Sequence, residues 1–422
     1  MPRKSTRNAQ GSGSLRQRAD GTWEARYTIG RDPGTGKQVR KSVYGKTQKE
    51  ARQKLAQAVA ALDAGTYFEP SKITLGKWMD IWLTEYTGDK KYLTVKHYTA
   101  QVNTHIKPRL GSVKLAALMP PQIQKFYNEL LERGQRCPER DKNGKIVKKD
   151  GKTVYTTAPM SPKSVRNIHG ILTKALSTAV QIGYLRTNPA SAVTLPRVEK
   201  KEIRPLTDQQ VKALLTLADE DEFGVVFKVI VLTGLRESEA LGLTWDCVDF
   251  QAGTVRITKQ LQKRPNAAGG FVFAPLKNDK TRSLTPAPYV MDILRTHWQE
   301  QAEQRLRAGE AWKGWASQKE RETALVFTNA LGGHLHPQTL YNHFKKLTTL
   351  VGAPAACVHD LRHTFAVLSL ENGDDVKTVQ GNLGHATAAF TLDIYGHVSE
   401  RMKTDSAARM QTFLDTLKIS KG

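Results

Sequence analysis

The sequence predicts a multidomain α+β protein: a small three-stranded sheet plus a helix, then a helical unit, then a mainly helical unit carrying a small antiparallel sheet. Three observations predict it. The chain has 422 residues, too many for one core and enough for about two to four domains. Short alternating strands cluster near the N-terminus, whereas 3.6-residue apolar spacing dominates beyond them. A charged, aperiodic stretch, Leu195-Pro196-Arg197-Val198-Glu199-Lys200-Lys201, then breaks the helical pattern, and we place a linker at 195–204.

Residues 1–13 are basic, contain Gly and Ser and lack periodicity, so they read as a disordered arm. From Ser14, Trp23–Ile29 alternates as a strand, Asp32-Pro33-Gly34-Thr35-Gly36 turns, and Lys37–Tyr44 returns before a helix at about Thr47. This first unit spans 14–66. Residues 1–54 carry 14 Lys/Arg against 4 Asp/Glu, and Arg26, Arg40 and Lys41 lie on strands that could enter a DNA groove, or simply form a solvated face.

Helical spacing resumes with Leu75, Trp78, Met79 and Trp82, and again with Val95, Tyr98, Val102 and Ile106 before Pro108 and Gly111. Further helices are expected over about Pro121–Leu131 and from Ser161-Pro162, where Ser caps and Pro takes the first helical position. This second unit spans 72–194. Residues 135–160, with Asp-Lys-Asn-Gly-Lys and Lys-Lys-Asp-Gly-Lys turns, interrupt it as a basic, hairpin-like insertion that either touches a phosphate backbone or is a solvated loop.

The third unit spans 205–422. Thr207-Asp208-Gln209-Gln210 opens it with a capping-box pattern. Strands are expected at Thr254–Thr258 and Phe271–Ala274, with a turn around Lys277–Lys280 and Arg282–Thr285 closing it.

Lys and Arg number 64 against 40 Asp and Glu, a net charge of +24, which favours a polyanionic partner. No basic amphipathic helix with a broad aromatic face points to a membrane surface, and the most apolar run, Phe223–Leu232, is short and broken by Lys228. Three isolated cysteines, Cys137, Cys247 and Cys357, offer neither a disulfide framework nor a zinc pattern, which suits a reducing cytoplasm. The basic N-terminus leads into Gly and Ser rather than an apolar signal segment.

The chemistry concentrates in four blocks: Thr233-Gly234-Leu235-Arg236-Glu237-Ser238-Glu239; His359-Asp360-Leu361-Arg362-His363-Thr364-Phe365-Ala366; Leu383-Gly384-His385; and Thr391-Leu392-Asp393-Ile394-Tyr395-Gly396-His397-Val398. His359 and Arg362 share one helical turn, so imidazole and guanidinium can reach one cluster of phosphate oxygens. A phenol attacks well only where nearby cations favour its developing charge, and Tyr395 alone among the tyrosines closely follows a histidine of these blocks. The His-Asp-Leu-Arg-His spacing lacks the HExxH carboxylate, so no metal is expected.

In their order and composition these blocks resemble the signatures of the tyrosine recombinase (phage integrase) family, and the chain resembles integrases of temperate phages and conjugative transposons. The resemblance covers the C-terminal half, and the first two units resemble such integrases' arm-binding and core-binding domains. It implies site-specific recombination, integrating and excising a mobile element through a 3′-phosphotyrosyl intermediate and a Holliday junction. Arg236 and Arg362 would clamp the scissile phosphate, His359 and His385 would donate hydrogen bonds to it, and Tyr395 would be the nucleophile. Glu239 would buttress the site. A β-hairpin lysine would protonate the leaving oxygen: Lys277, or Lys280 in the same turn. No cofactor is implied. The implied partners are double-stranded DNA with core and arm-type sites, three further protomers in a homo-tetramer, and an excisionase or host DNA-bending protein setting direction. The tail, with Met402, Ala407, Met410, Phe413 and Leu417 at helical spacing, would dock on a neighbouring protomer or pack on its own unit. Two other readings stay open: a type IB topoisomerase-like relaxing enzyme, and an architectural or regulatory DNA-binding protein with a vestigial site.

Overall fold

The computed structural model describes residues 13–31, 34–63, 72–142, 145–199, 205–267, 270–277, 279–384 and 400–417. Contacts divide the chain into two compact units, Met1–Lys200 and Lys201–Gly422. Among the described residues, no helix is long and apolar enough to cross a membrane.

The first unit opens with an antiparallel sheet in the order β1 (Ser14–Gln17), β2 (Trp23–Arg31), β3 (Gln38–Gly45), followed by helix α1 (Gln48–Asp63). Alternation decides its faces. Ala25 and Tyr27 are buried, and Val43 and Lys41 stand directly opposite them on β3. The other face carries Arg26 and, opposite Thr28, Arg40. Lys41 therefore does not share a face with the two arginines, although its charge groups it with them.

The helical part of this unit comprises α2 (Leu75–Glu85), α3 (Tyr92–Gln101), a π turn (Val102–Ile106), α4 (Lys107–Leu110), α5 (Pro120–Arg133) and α6 (Pro162–Gln181). Leu75, Trp78, Met79 and Trp82 form the buried stripe of α2. Each indole also satisfies its N–H: Trp78 Nε1 donates to the Ala175 carbonyl (3.0 Å), and Trp82 Nε1 to Thr178 Oγ1 (3.2 Å). Burial of aromatic area thus carries no unpaired donor. Ser161 caps α6, accepting the Ser164 N–H at 3.2 Å.

Between α5 and α6, β4 (Gln135–Pro138) pairs with β7 (Tyr155–Ala158), and β5 (Lys148–Lys149) pairs with β6 (Lys152–Thr153).

In the second unit, the Thr207–Gln210 capping box forms at the start of α7 (Asp208–Leu217). Helix α8 (Gly224–Thr233) is apolar on nearly all sides and sits in the core, its single Lys228 ion-paired with Asp219. Then come α9 (Glu237–Ala240) and strands β8 (Val248–Asp249), β9 (Thr254–Ile257), β10 (Lys259–Lys263), β11 (Phe271–Pro275) and β12 (Arg282–Leu284). Helices α10 (Pro288–Ala308), α11 (Gln318–Glu322), α12 (Pro337–Leu350), α13 (Val358–Glu371) and α14 (Val376–Leu383) come next, with a last described helix over Glu400–Thr416. Met410 and Phe413 on that helix, and Leu417 just beyond it, remain exposed.

The sheet corrects one expectation. Arg282–Leu284 does not pair with Phe271–Ala274. β12 pairs with β9, Arg282 opposite Ile257, while β11 pairs with β10, Pro275 opposite Lys259. The Lys277–Lys280 segment is therefore a side excursion in the returning edge, linking strands of two sheets, and not the turn of a hairpin. The physical reason is that β9 runs into β10 through Thr258 alone, so the returning chain must skip residues 276–281 to keep both registers.

Candidate active site

Helix α8 ends at Gly234, whose φ of +67° is left-handed and whose N–H donates to the Ile230 carbonyl (2.9 Å). A Cβ there would lie 2.4 Å from Phe365 Cδ1 and 2.8 Å from Leu383 Cδ2. Only glycine satisfies both the dihedral and the space. This turn throws the chain into an extended Arg236, the N-cap of α9.

Glu239 organises the guanidiniums around it. It is 1% exposed, and its carboxylate accepts from Arg236 Nη1 (2.6 Å), the Arg236 backbone N–H (3.0 Å), Arg282 Nη2 (2.7 Å) and Arg282 Nη1 (3.2 Å). Burial alone would raise this carboxyl, but hydrogen bonding and charge from Arg282, then from Arg236, outweigh it and hold the group at about 2. Arg282 Nε also donates to the Asn382 carbonyl (2.8 Å). One carboxylate thus fixes two guanidiniums, with Arg236 the more open of them.

Arg362 is 2% exposed. Its Nη1 donates to the Gly234 carbonyl (2.6 Å) and its Nη2 to the Leu383 carbonyl (2.5 Å). The fork therefore joins the turn before Arg236 to the end of α14, two residues before His385.

His359 stands one turn before Arg362 on α13 and meets His363 edge to face, ring centroids 4.8 Å apart. Packing around the ring, then the charges of His363, Arg362 and Arg236, push its pKa down to about 4. The residue also keeps a solvent-facing edge, through which water screens part of that effect. Its ordinary value is near 6.5. Between those values the unfolded chain binds a proton that the fold rejects, so this stabilisation is fully present above about pH 6.5 and is lost as pH falls toward 4. The urea midpoint is expected to drop on acidification from about pH 7 to about pH 5, and His359→Gln to flatten that drop. Identical pH profiles for the two proteins would refute the assignment.

Lys277 and Lys280 are both exposed in the excursion after β11. The excursion is tied to α9, because Ser238 Oγ donates to Gln260 Oε1 (3.0 Å) and Gln260 Nε2 to the Pro275 carbonyl (2.6 Å). Lys259, opposite Pro275, borders the same excursion, and no motif in the sequence marks it. His385 and Tyr395 lie outside the described residues.

The structure therefore brings together Arg236, Glu239, His359 and Arg362, and adds Arg282. A lone arginine opening a three-residue strand gives no sign of that role in the sequence. On the first unit, Arg26 and Arg16 both pair with Glu24 (3.0 and 2.6 Å), whose carboxyl is held at about 2 by Arg26, Ser42 and Arg16. Arg40 hydrogen-bonds Gln38 (2.9 Å).

Two family models match the chain: phage integrase family over residues 204–402, and phage integrase, N-terminal SAM-like domain, over 74–131. Among curated relatives, a "tyrosine recombinase XerC-like" protein of Caldanaerobacter subterraneus subsp. tengcongensis is 27% identical over 394 residues, covering 90% of this chain and 93% of its own. The ICEBs1 integrase of Bacillus subtilis is 22% identical, covering 95% of this chain and all of its own. Among solved structures, the Tn1549 transposon integrase in complex with transposon right end DNA superposes with a TM-score of 0.62 at 19% identity, covering 80% of this chain and 100% of its own. A lambda integrase tetramer bound to a Holliday junction gives 0.51 at 18% identity, with 92% and 96% covered.

Proposed function

The chain belongs to the phage integrase family and is a tyrosine-type site-specific recombinase, and from that premise we propose that it integrates and excises a mobile element by cutting and rejoining duplex DNA through Tyr395. The observation that carries this reading is the shared carboxylate of Glu239, which holds Arg236 part-exposed beside His359 while Arg362 anchors the segment leading to His385. That arrangement concentrates positive charge where a phosphorane would form, with the donors fixed in advance.

In the proposed step the Tyr395 oxygen attacks phosphorus and gives its proton to solvent water, a P–O bond to tyrosine forms, and the P–O5′ bond breaks. Lys277 protonates the leaving 5′ oxygen, with Lys280 on the same excursion, or Lys259 at the neighbouring strand edge, as alternatives. Attack by another strand's 5′ hydroxyl reverses the reaction, so bond energy is conserved in the phosphotyrosyl link. Arg236 and Arg362 supply the charge stabilisation, with hydrogen bonds to the phosphate from His359 and His385. Arg26 and Arg40 on the open sheet face, and Lys41 at its other side, are the proposed arm-site contacts. Four protomers exchanging strands through a Holliday junction, the exposed tail helix docking on a neighbour, are the proposed assembly. The Tn1549 integrase on transposon DNA and the lambda integrase tetramer on a Holliday junction support the reading by fold.

The test incubates the full chain with duplex carrying the joined ends of the element that encodes it. An SDS-resistant protein–DNA adduct is expected from wild type and none from Tyr395→Phe. Tight binding with no adduct from wild type, on ends verified by sequencing, would leave only the architectural alternative.

A further inference from the structure

We propose that the branched ribbon described over 135–142 and 145–158 is a contact for the phosphate backbone of duplex DNA. The proposal rests on the DNA reading above and adds to it a surface that the active-site chemistry does not use.

The ribbon is built and anchored. Its stem leaves α5 at Gly134, whose N–H donates to the Leu130 carbonyl (2.8 Å), and returns at Met160, which is 8% exposed and donates its N–H to the same carbonyl (3.1 Å). Above the β4–β7 stem, three backbone bonds close a junction: Glu139 N–H to Val154 O (2.9 Å), Val147 N–H to Glu139 O (2.9 Å) and Val154 N–H to Val147 O (3.0 Å). Two branches leave this junction, one bridged at Arg140 and Ile146, the other the β5–β6 hairpin. Backbone pairing of this kind holds the side chains in set directions without any core of their own.

Those directions are mainly cationic, with Glu139, Asp141 and Asp150 the exposed carboxylates among them. Lys142, Lys145, Lys148, Lys149 and Lys152 are all exposed, and among the described residues none of the five enters an ion pair. The β5–β6 turn, Asp150 at φ +51° and Gly151 at φ +74°, sets Lys149 directly opposite Lys152. Like charges facing each other across a two-stranded ribbon oppose its formation, and this short hairpin has no buried side chain to offset them. An anion lying between the two ammonium groups reverses the sign of that interaction. At the stem, the Arg136 guanidinium stacks 3.9 Å from the centre of the Tyr155 ring, a platform that orients a further cation.

Lysines on a backbone-paired ribbon with no apolar patch match phosphates better than a protein surface. Ile146 and Tyr155 are exposed singly, whereas a protein interface centres on clustered apolar anchors. Point charges position a duplex without reading its sequence.

The experiment measures non-covalent binding of the full chain to the joined-end duplex as a function of salt, for wild type and the triple variant Lys148→Gln, Lys149→Gln, Lys152→Gln. Each lost phosphate contact lowers the slope of log affinity against log salt by about 0.9, so a fall of about 2 to 3 is expected, with affinity near physiological salt reduced on the order of tenfold to a hundredfold. The melting temperature of the free protein reports whether the fold survives, and the triple Lys→Arg variant should restore the slope because it keeps the charge. An unchanged slope overturns the proposal and leaves the ribbon to an acidic protein or to solvent; a loss that arginine does not restore overturns it equally. The wild-type adduct on the same duplex tests the catalytic reading separately, so the two fail distinguishably.

Discussion

Glu239→Ala is expected to lower the free energy of unfolding by about 3–5 kcal/mol and to remove DNA cleavage with it. The carboxylate is buried and serves two guanidiniums, of which Arg282 is itself 9% exposed in its side chain. Without the anion, two cations remain close together in a poorly solvated site, and the Arg236 backbone N–H loses its acceptor. That is the costly direction in which to break a buried pair, because the unpaired partner keeps its desolvation penalty. Removing Arg282 as well should recover part of the loss, so a double-mutant cycle isolates the coupling. The pH dependence has a definite sign. A carboxyl held at about 2 in the fold and at 4.5 ordinarily contributes stability that is present above about pH 4.5 and is lost as pH falls toward 2. The gap between wild type and Glu239→Ala should therefore narrow over that window. Urea unfolding at about pH 7 and about pH 3 decides it; a pH-independent gap would mean that lost packing, and not charge, dominates.

What is legible in the sequence is local. The His359–Arg362 spacing and the caps at Thr207 and Ser161 each depend on residues within one turn of one another, and each stands as the spacing requires. The choice of partner across the chain is not legible. Arg282 lies 43 residues from Glu239, and nothing at Arg282 itself distinguishes it from a surface arginine. Strand pairing escapes sequence reading for a related reason. Lys259–Lys263 alternates weakly, because Gln260 and Leu261 are both buried, so a period-2 pattern misses β10 and assigns β12 the wrong partner. Charge alone groups Lys41 with Arg26, whereas a strand's alternation places it by register. Composition identifies the polyanion, but only packing identifies which cations are tied to carboxylates and which stand open.

Arg362→Ala should cost about 3–5 kcal/mol, and the loss should concentrate on the segments that carry the reaction. The resemblance expects this arginine to clamp phosphate. In the structure its two terminal nitrogens donate to the carbonyls of Gly234 and Leu383, which lie 2 residues before Arg236 and 2 before His385 in the sequence. Truncation leaves both carbonyls unsatisfied in a buried site and opens a void beside the Gly234 turn, against which Phe365 and Leu383 pack. Release of the buried cation's own desolvation penalty offsets part of this. Arg362→Lys separates holding the fold from holding the geometry. One ammonium can satisfy one carbonyl well, so most of the stability should return. It cannot span both with a planar fork, so cleavage should stay reduced by at least about a hundredfold, the scale on which small misplacements of positioned groups act. Melting temperature and single-turnover adduct formation read the two quantities apart. If Arg362→Lys regained stability and cleavage together, the charge alone would suffice and the two-carbonyl fork would not be what sets the site.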